Sequence, residues 1–152
     1  MNANERTVEF DLEATAEPER VRDALLDFSE QRPRLWPGID PSLYEVYSVG
    51  DTTAEVREGS RGPGDRAIWA GEHYDWSDPE TVRWTVQESN FSAPGSYVSA
   101  TIGPRAGGGS IVHITWNRTG STMAGRLICR IIRITRGRPV AASFKRGLDR
   151  LR

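Results

Sequence analysis

The sequence predicts an α+β fold, a curved antiparallel sheet of about seven strands wrapped around a long C-terminal helix, with two short helices after the first strand. Three observations carry this. The stretch Met123 to Arg152 places apolar residues at Leu127, Ile128, Ile131, Ile132 and Ile134, then at Val140, Phe144, Leu148 and Leu151, the three-to-four spacing of a helix with a buried stripe. Between Leu43 and Thr119 the apolar residues instead recur with period two, in segments rich in Val, Ile, Tyr, Trp and Thr, as strands require. Short turn sequences separate these segments, which makes consecutive strands antiparallel neighbours. A helix as long as the terminal one needs an apolar surface to lie on, and the sheet is the surface available.

Residues 1 to 6 read as a frayed terminus. Thr7 to Ala14 sets Val8, Phe10 and Leu12 against Glu9, Asp11 and Glu13, the alternation of a half-buried strand. Pro18 opens a helix, with Val21, Ala24, Leu25 and Phe28 on one face. Gln31 to Asp40, QRPRLWPGID, holds two prolines and a glycine and allows only a short helical turn around Arg34 to Trp36. Strands are then expected over Leu43–Val49, Thr53–Ser60, Ala67–Ser77, Thr81–Ser89, Gly95–Gly103 and Ser110–Thr119. Pro139, following Gly137, should kink the terminal helix or start a second one, because it lacks a backbone donor and clashes one turn back. No repeat or linker divides the chain, so residues 1–152 form one domain, with residues 121–152 as its terminal helix.

Composition excludes several classes of function. The net charge of −1 hides a division: 11 basic and 20 acidic side chains among the first 122 residues, against 9 and 1 in the last 30. Such a split can mark an anionic partner, or simply a basic face lying in water beside an acidic sheet. Nucleic acid is not expected, since the aromatic residues lie on strands whose apolar face the helix should cover. Stable membrane insertion is not expected either, because LICRIIRI is too short and too interrupted by arginine to span a bilayer, and the helix's apolar face should be committed to the sheet. Cys129, the single cysteine, reads as a small buried side chain. The opening MNANERTVEF lacks the apolar core of a signal peptide, so a cytoplasmic location is expected. His73 and His113 fall on the outer face and supply no converging metal ligands. Neither a metal nor another cofactor is expected. The glycine-rich Pro104–Gly109 joins two strands without opening a helix and reads as a flexible hairpin loop rather than a phosphate loop, and Arg61–Asp65 reads as a loop at the mouth of a cavity.

The residues that carry a family likeness are the strand Val8-Glu9-Phe10, the helix start Ala16 to Val21, Leu35-Trp36-Pro37-Gly38, Tyr74-Asp75-Trp76-Ser77, Val82-Arg83-Trp84 and the arginine-rich terminal helix. With the order of elements, they give a chain that resembles the helix-grip fold of the START-like superfamily. That group includes Bet v 1-like proteins, lipid-transfer START domains, aromatic polyketide cyclases and bacterial SRPBCC or polyketide cyclase/dehydrase proteins. The resemblance spans nearly the whole chain and rests on structural signatures. It implies an apolar cavity between sheet and long helix, used by different members for lipid carriage, hormone sensing or ring closure.

Alternation then indicates what faces that cavity. The inward sets are Ala54, Val56 and Glu58; Ile68, Ala70, Glu72, Tyr74 and Trp76; Val82, Trp84 and Val86; Val98, Ala100 and Ile102; and Val112, Ile114 and Trp116. The expected ligand contacts are Val56, Tyr74, Trp76, Trp84, Val98, Ile114 and Trp116, with Ile131 from the helix, although such rings also serve simply to fill cores. Glu58 and Glu72 are acidic residues on otherwise apolar faces. Burial would raise their pKa values and leave them, with Tyr74, as candidate catalytic groups for proton transfer. A bulge that turns the two carboxylates to solvent, or pairing with Arg57 or Arg83, is the alternative. The function expected is binding or transport of a small hydrophobic or aromatic, lipid- or polyketide-like molecule. A polyketide cyclase or dehydratase using those residues is the second possibility, and an interaction module with a filled core the third. Either a monomer or a homodimer is compatible with the sequence.

Overall fold

The structure, a computed structural model, describes residues 7–151; the terminus expected to fray lies outside them. The chain runs β1 (Val8–Ala14), α1 (Pro18–Leu25), α2 (Arg32–Leu35), a 3-10 turn (Pro41–Leu43), β2 (Glu45–Val49), β3 (Thr53–Arg61), a second 3-10 turn (Pro63–Asp65), β4 (Ala67–Asp75), β5 (Thr81–Ser89), β6 (Tyr97–Pro104), β7 (Ser110–Asn117), α3 (Met123–Ile134) and α4 (Arg138–Leu148). All seven strands join one antiparallel sheet in the order β1-β7-β6-β5-β4-β3-β2. Strands two to seven form a meander, and β1 returns beside the last of them, so α1 and α2 must cross the sheet's concave face to reach the far edge. Tight Asn/Asp/Gly/Pro turns make the meander cheap to close.

The inward faces match the alternation. Val56, Val82, Ala100 and Ile114 are fully buried, as are Val21 of α1 and Leu148 of α4. The sheet's outer face carries polar pairs instead. There His113 Nδ1 lies 2.6 Å from Asp11 and its Nε2 3.2 Å from Glu9, and hydrogen bonding to Asp11 above all holds the imidazole pKa up. His73 pairs with Glu55 at 2.5 Å. Among the described residues no group of three or more potential ligands is placed to hold a metal. The Pro104–Gly109 loop is pinned rather than loose. Arg105 reaches Glu13 at 3.1 Å, and the Gly109 amide donates to Glu17 Oε1 at 3.0 Å.

The terminal segment is two helices, the second of the outcomes that Pro139 allowed. The break is made before the proline. Arg136 (φ 55°) and Gly137 (φ 78°) both adopt the left-handed conformation. The Gly137 amide then donates to Ile132 O at 2.8 Å and the Arg136 amide to Arg133 O at 3.1 Å, the bonding of a Schellman stop. Pro139 sits in the first turn of α4, where its missing donor is not needed.

The two helices do different work. α4 lies over the sheet, with Leu148 and Leu151 buried and Phe144 packed 6.0 Å from the rings of both Trp36 and Trp84. α3 buries only the narrow strip of Gly125 and Cys129, flanked by half-buried Ile128 and Ile132. Leu127, Ile131 and Ile134, expected to face the sheet, are 60%, 48% and 69% exposed. The apolar residues of α3 span two faces, and the short helix reaches protein on only one. The premise that the helix's apolar face is fully covered therefore fails for α3. No described helix is long and apolar enough to cross a membrane.

Candidate functional site

Between sheet and α4 lies a cavity of about 530 Å³. Its apolar wall includes Trp36, Trp84, Phe91, Val98, Trp116 and Phe144, and its polar groups are Arg32, Glu58, Glu72, Tyr74 and Arg118. Gly59, Ser60, Arg61 and Ile68 contribute from the ends of β3 and β4, which places the Arg61–Asp65 turn beside the cavity.

The polar groups form two buried clusters. In the first, α2 directs Arg32 inward, although it starts a helix only four residues long. Its guanidinium makes four hydrogen bonds. Nε donates to Glu58 Oε2 at 2.9 Å, Nη2 to the Tyr74 hydroxyl at 3.0 Å, and Nη1 to the carbonyls of Leu25 at 2.8 Å and Asp27 at 3.1 Å. The Tyr74 hydroxyl donates in turn to Glu58 Oε1. The cation also lies 4.7 Å from the Phe28 ring centroid and 5.2 Å from that of Tyr74, a favourable approach to ring faces. Burial opposes the charge on Arg32, but Glu58 and Tyr74 outweigh it and the guanidinium pKa is raised. Burial first, and the Glu58 charge second, push the Tyr74 phenol well above its ordinary value, so it stays protonated. Its ring stacks on Trp84 at 5.4 Å between centroids and 18° between planes.

In the second cluster Glu72, 3% exposed, meets Arg118 at 2.8 Å. Each partner has one side-chain atom left over. Glu72 Oε2 and Arg118 Nη1 are buried without a hydrogen-bond partner, which is costly unless something else supplies one. Burial raises the Glu72 pKa, Arg118 opposes that rise, and the nearby Glu58 charge adds to it.

The raised value fixes the sign of a pH effect. The folded chain holds the Glu72 proton at pH values where the unfolded chain has lost it, so the cost of the buried charge is absent below the ordinary value of 4.5, grows as pH rises through the folded value, and is constant above it. Compared with Glu72→Gln in urea unfolding, the native chain should therefore gain relative stability as pH falls toward 4.5. A difference that does not vary with pH would show the carboxylate ionised throughout.

Of the residues expected from sequence, Glu58, Glu72, Tyr74, Trp84, Val98 and Trp116 all line the cavity. The other four do not. Val56 and Ile114 are completely buried in the core, packed away from the cavity wall. Trp76 follows the end of β4, where alternation no longer directs it, and packs 5.8 Å from Phe28. Ile131 lies on the outer side of α3. The two carboxylates pair neither with Arg57, which meets Glu45, nor with Arg83, which lies over the Tyr97 ring. Their partners Arg32 and Arg118 were missed. Arg118 had a signal, since it continues the inward series Val112, Ile114, Trp116 by two. Arg32 stands four residues past Phe28 on the α1 stripe, but the intervening break in the helix removes any periodic meaning.

This arrangement defines the START-like helix-grip fold. No protein-family model matches the sequence, and no curated protein matches it. Solved structures do. TTHA0849 from Thermus thermophilus is 19% identical with a TM-score of 0.75, covering 93% of this chain and 94% of that one. The Zhui aromatase/cyclase from Streptomyces sp. R1128 is 12% identical with a TM-score of 0.76, covering 94% and 90%. A START superfamily protein from Mycobacterium smegmatis is 12% identical with a TM-score of 0.72, covering 91% and 94%. At these identities the likeness is one of fold.

Proposed function

We propose that this chain binds a small, largely aromatic molecule that carries carbonyl or hydroxyl groups. One observation supports this above all: the cavity sets tryptophan and phenylalanine rings against two buried arginine–carboxylate clusters, one of them with a donor and an acceptor left unpartnered. Its volume of about 530 Å³ falls within the roughly 300–1,000 Å³ of small-molecule sites. A pure lipid tail has no use for such polar groups, and an interaction module with a filled core has no use for the cavity. The reading is tested by native mass spectrometry and organic extraction of the purified chain, with titration of tryptophan fluorescence by polyphenolic compounds. A co-purifying mass or a saturable quench, lost in Trp84→Ala, is expected. No bound mass and no quench with any aromatic compound would sink the reading.

The perturbed carboxyl group favours a second reading, an acid–base enzyme that closes a ring on a polyketide-like substrate; the Zhui structure of the same fold is by name an aromatase/cyclase. Ionised Glu72 takes a proton from the carbon beside a carbonyl, and Arg118 stabilises the enolate oxygen. The enolate carbon attacks a second carbonyl of the same molecule, forming the ring bond as that oxygen takes up a proton. Glu72, its first proton given to that oxygen, then removes the second proton from the attacking carbon and passes it to the new hydroxyl, which leaves as water. Glu72→Gln separates the two readings. A carrier would keep its affinity within a few-fold, whereas an enzyme would retain binding and lose turnover by about 100-fold or more, as removal of a general acid–base does.

A further inference from the structure

α3 carries an apolar stripe that none of the described residues covers. Met123, Leu127 and Ile131 follow one another at four-residue spacing and Ile134 comes three later, so they share one face, and they are 86%, 60%, 48% and 69% exposed. Arg126 and Arg130, both exposed, stand one position before Leu127 and Ile131 and flank the stripe, and exposed Arg136 and Arg138 follow at its end. No acidic residue occurs between Met123 and Arg138.

We propose that this face of α3 docks on an anionic lipid bilayer, lying in the plane of the headgroups with the stripe directed into the acyl boundary and the arginines among the phosphates. An apolar face flanked by arginines is the composition of an interfacial helix, and long basic side chains keep their charge in the headgroup layer while their stems cover apolar surface. The charges decide against a second copy of this chain, since an isologous pairing of two such helices would bring like-charged arginine rows together. Size decides against a soluble protein partner. A helix of 12 residues offers a face about 18 Å long and about 10 Å wide, well below the roughly 800 Å² per partner of a stable protein interface. A bilayer needs no matching groove. Nucleic acid would offer the arginines phosphates but no apolar surface for the stripe, and α3 has no aromatic side chain to stack on bases.

The test is co-sedimentation of the whole chain with vesicles of equal parts phosphatidylcholine and phosphatidylglycerol, beside vesicles of phosphatidylcholine alone. Binding to the anionic vesicles is expected, weakening as salt is raised. Arg126→Gln with Arg130→Gln should reduce it by about fivefold per arginine, and Leu127→Ser by roughly tenfold or more. All three positions are exposed, so thermal melting of these variants should match the native chain. Absence of binding, equal binding to both vesicles, or binding unchanged in the variants overturns the proposal. So does a concentration-dependent dimer in light scattering that Leu127→Ser abolishes, or retention on immobilised polyglutamate without vesicle binding.

Discussion

Arg32→Met should lower the free energy of unfolding by about 3–5 kcal/mol, the cost of leaving a buried charge without its partner. Arg32 is 3% exposed and Glu58 13%, their ion pair spans 2.9 Å, and the same guanidinium also holds Tyr74 and two backbone carbonyls. Removing it strands the Glu58 carboxylate and the Leu25 carbonyl together. The expected result is a fall in the urea midpoint with little change in slope, since the same surface is exposed on unfolding. Adding Glu58→Leu to the first substitution should recover a large part of the loss, because an apolar pair in place of a buried ion pair is often close to neutral. A cost below about 1 kcal/mol for the single substitution would mean that solvent reaches this pair, as it does at surface salt bridges. The same cycle bears on function. Tyr74 donates to Glu58 and accepts from Arg32, so losing Arg32 leaves the phenol oxygen with a free acceptor position while its bond to Glu58 remains.

Gly125→Ala should destabilise the chain by about 3 kcal/mol, the upper end of overpacking costs. A Cβ at this position would collide with the carbonyl oxygen of Phe91 and lie 2.8 Å from its carbon. These are backbone atoms that cannot rotate aside. The sign is informative, because helix propensity alone predicts that alanine stabilises a helix interior by about 1 kcal/mol relative to glycine. A rise in melting temperature would show that α3 does not approach the Phe91 segment so closely. A fall would confirm that α3 is seated by its smallest residue, the helix start being fixed by Thr122, whose hydroxyl accepts from the Gly125 amide at 3.0 Å.

Much of the candidate site was legible before any coordinates. Period-two alternation placed Glu58 on β3 and Glu72 and Tyr74 on β4, and strand pairing of Val56 with Glu72 and of Glu58 with Ala70 brings these positions to one concave face. Trp84, Val98 and Trp116 followed from the same rule, with Trp84 opposite Val98 and Val98 opposite Trp116. Alternation fails where its geometry ends. Trp76 lies past the last residue of β4, and Arg32 belongs to a segment with no period at all. It also cannot rank depth, so Val56 and Ile114 read the same as the residues that reach the cavity.

The sequence by itself determined the order of elements, the antiparallel meander, the inward faces of β1 and of β3 to β7 and the presence of two acidic groups on them, because these are local properties of side-chain period and turn chemistry. It also determined that the terminal segment must break or bend near Gly137 and Pro139. The tertiary structure alone decided which arginines meet those acids, since Arg32 stands 26 residues from Glu58 and Arg118 reaches Glu72 from beyond the opposite end of the meander. It decided as well which of two equally apolar faces of α3 is buried. A helical stripe states that a helix can lie on something; only the position of the sheet and of the Phe91 backbone fixes which side lies there, and leaves Met123, Leu127, Ile131 and Ile134 facing outward.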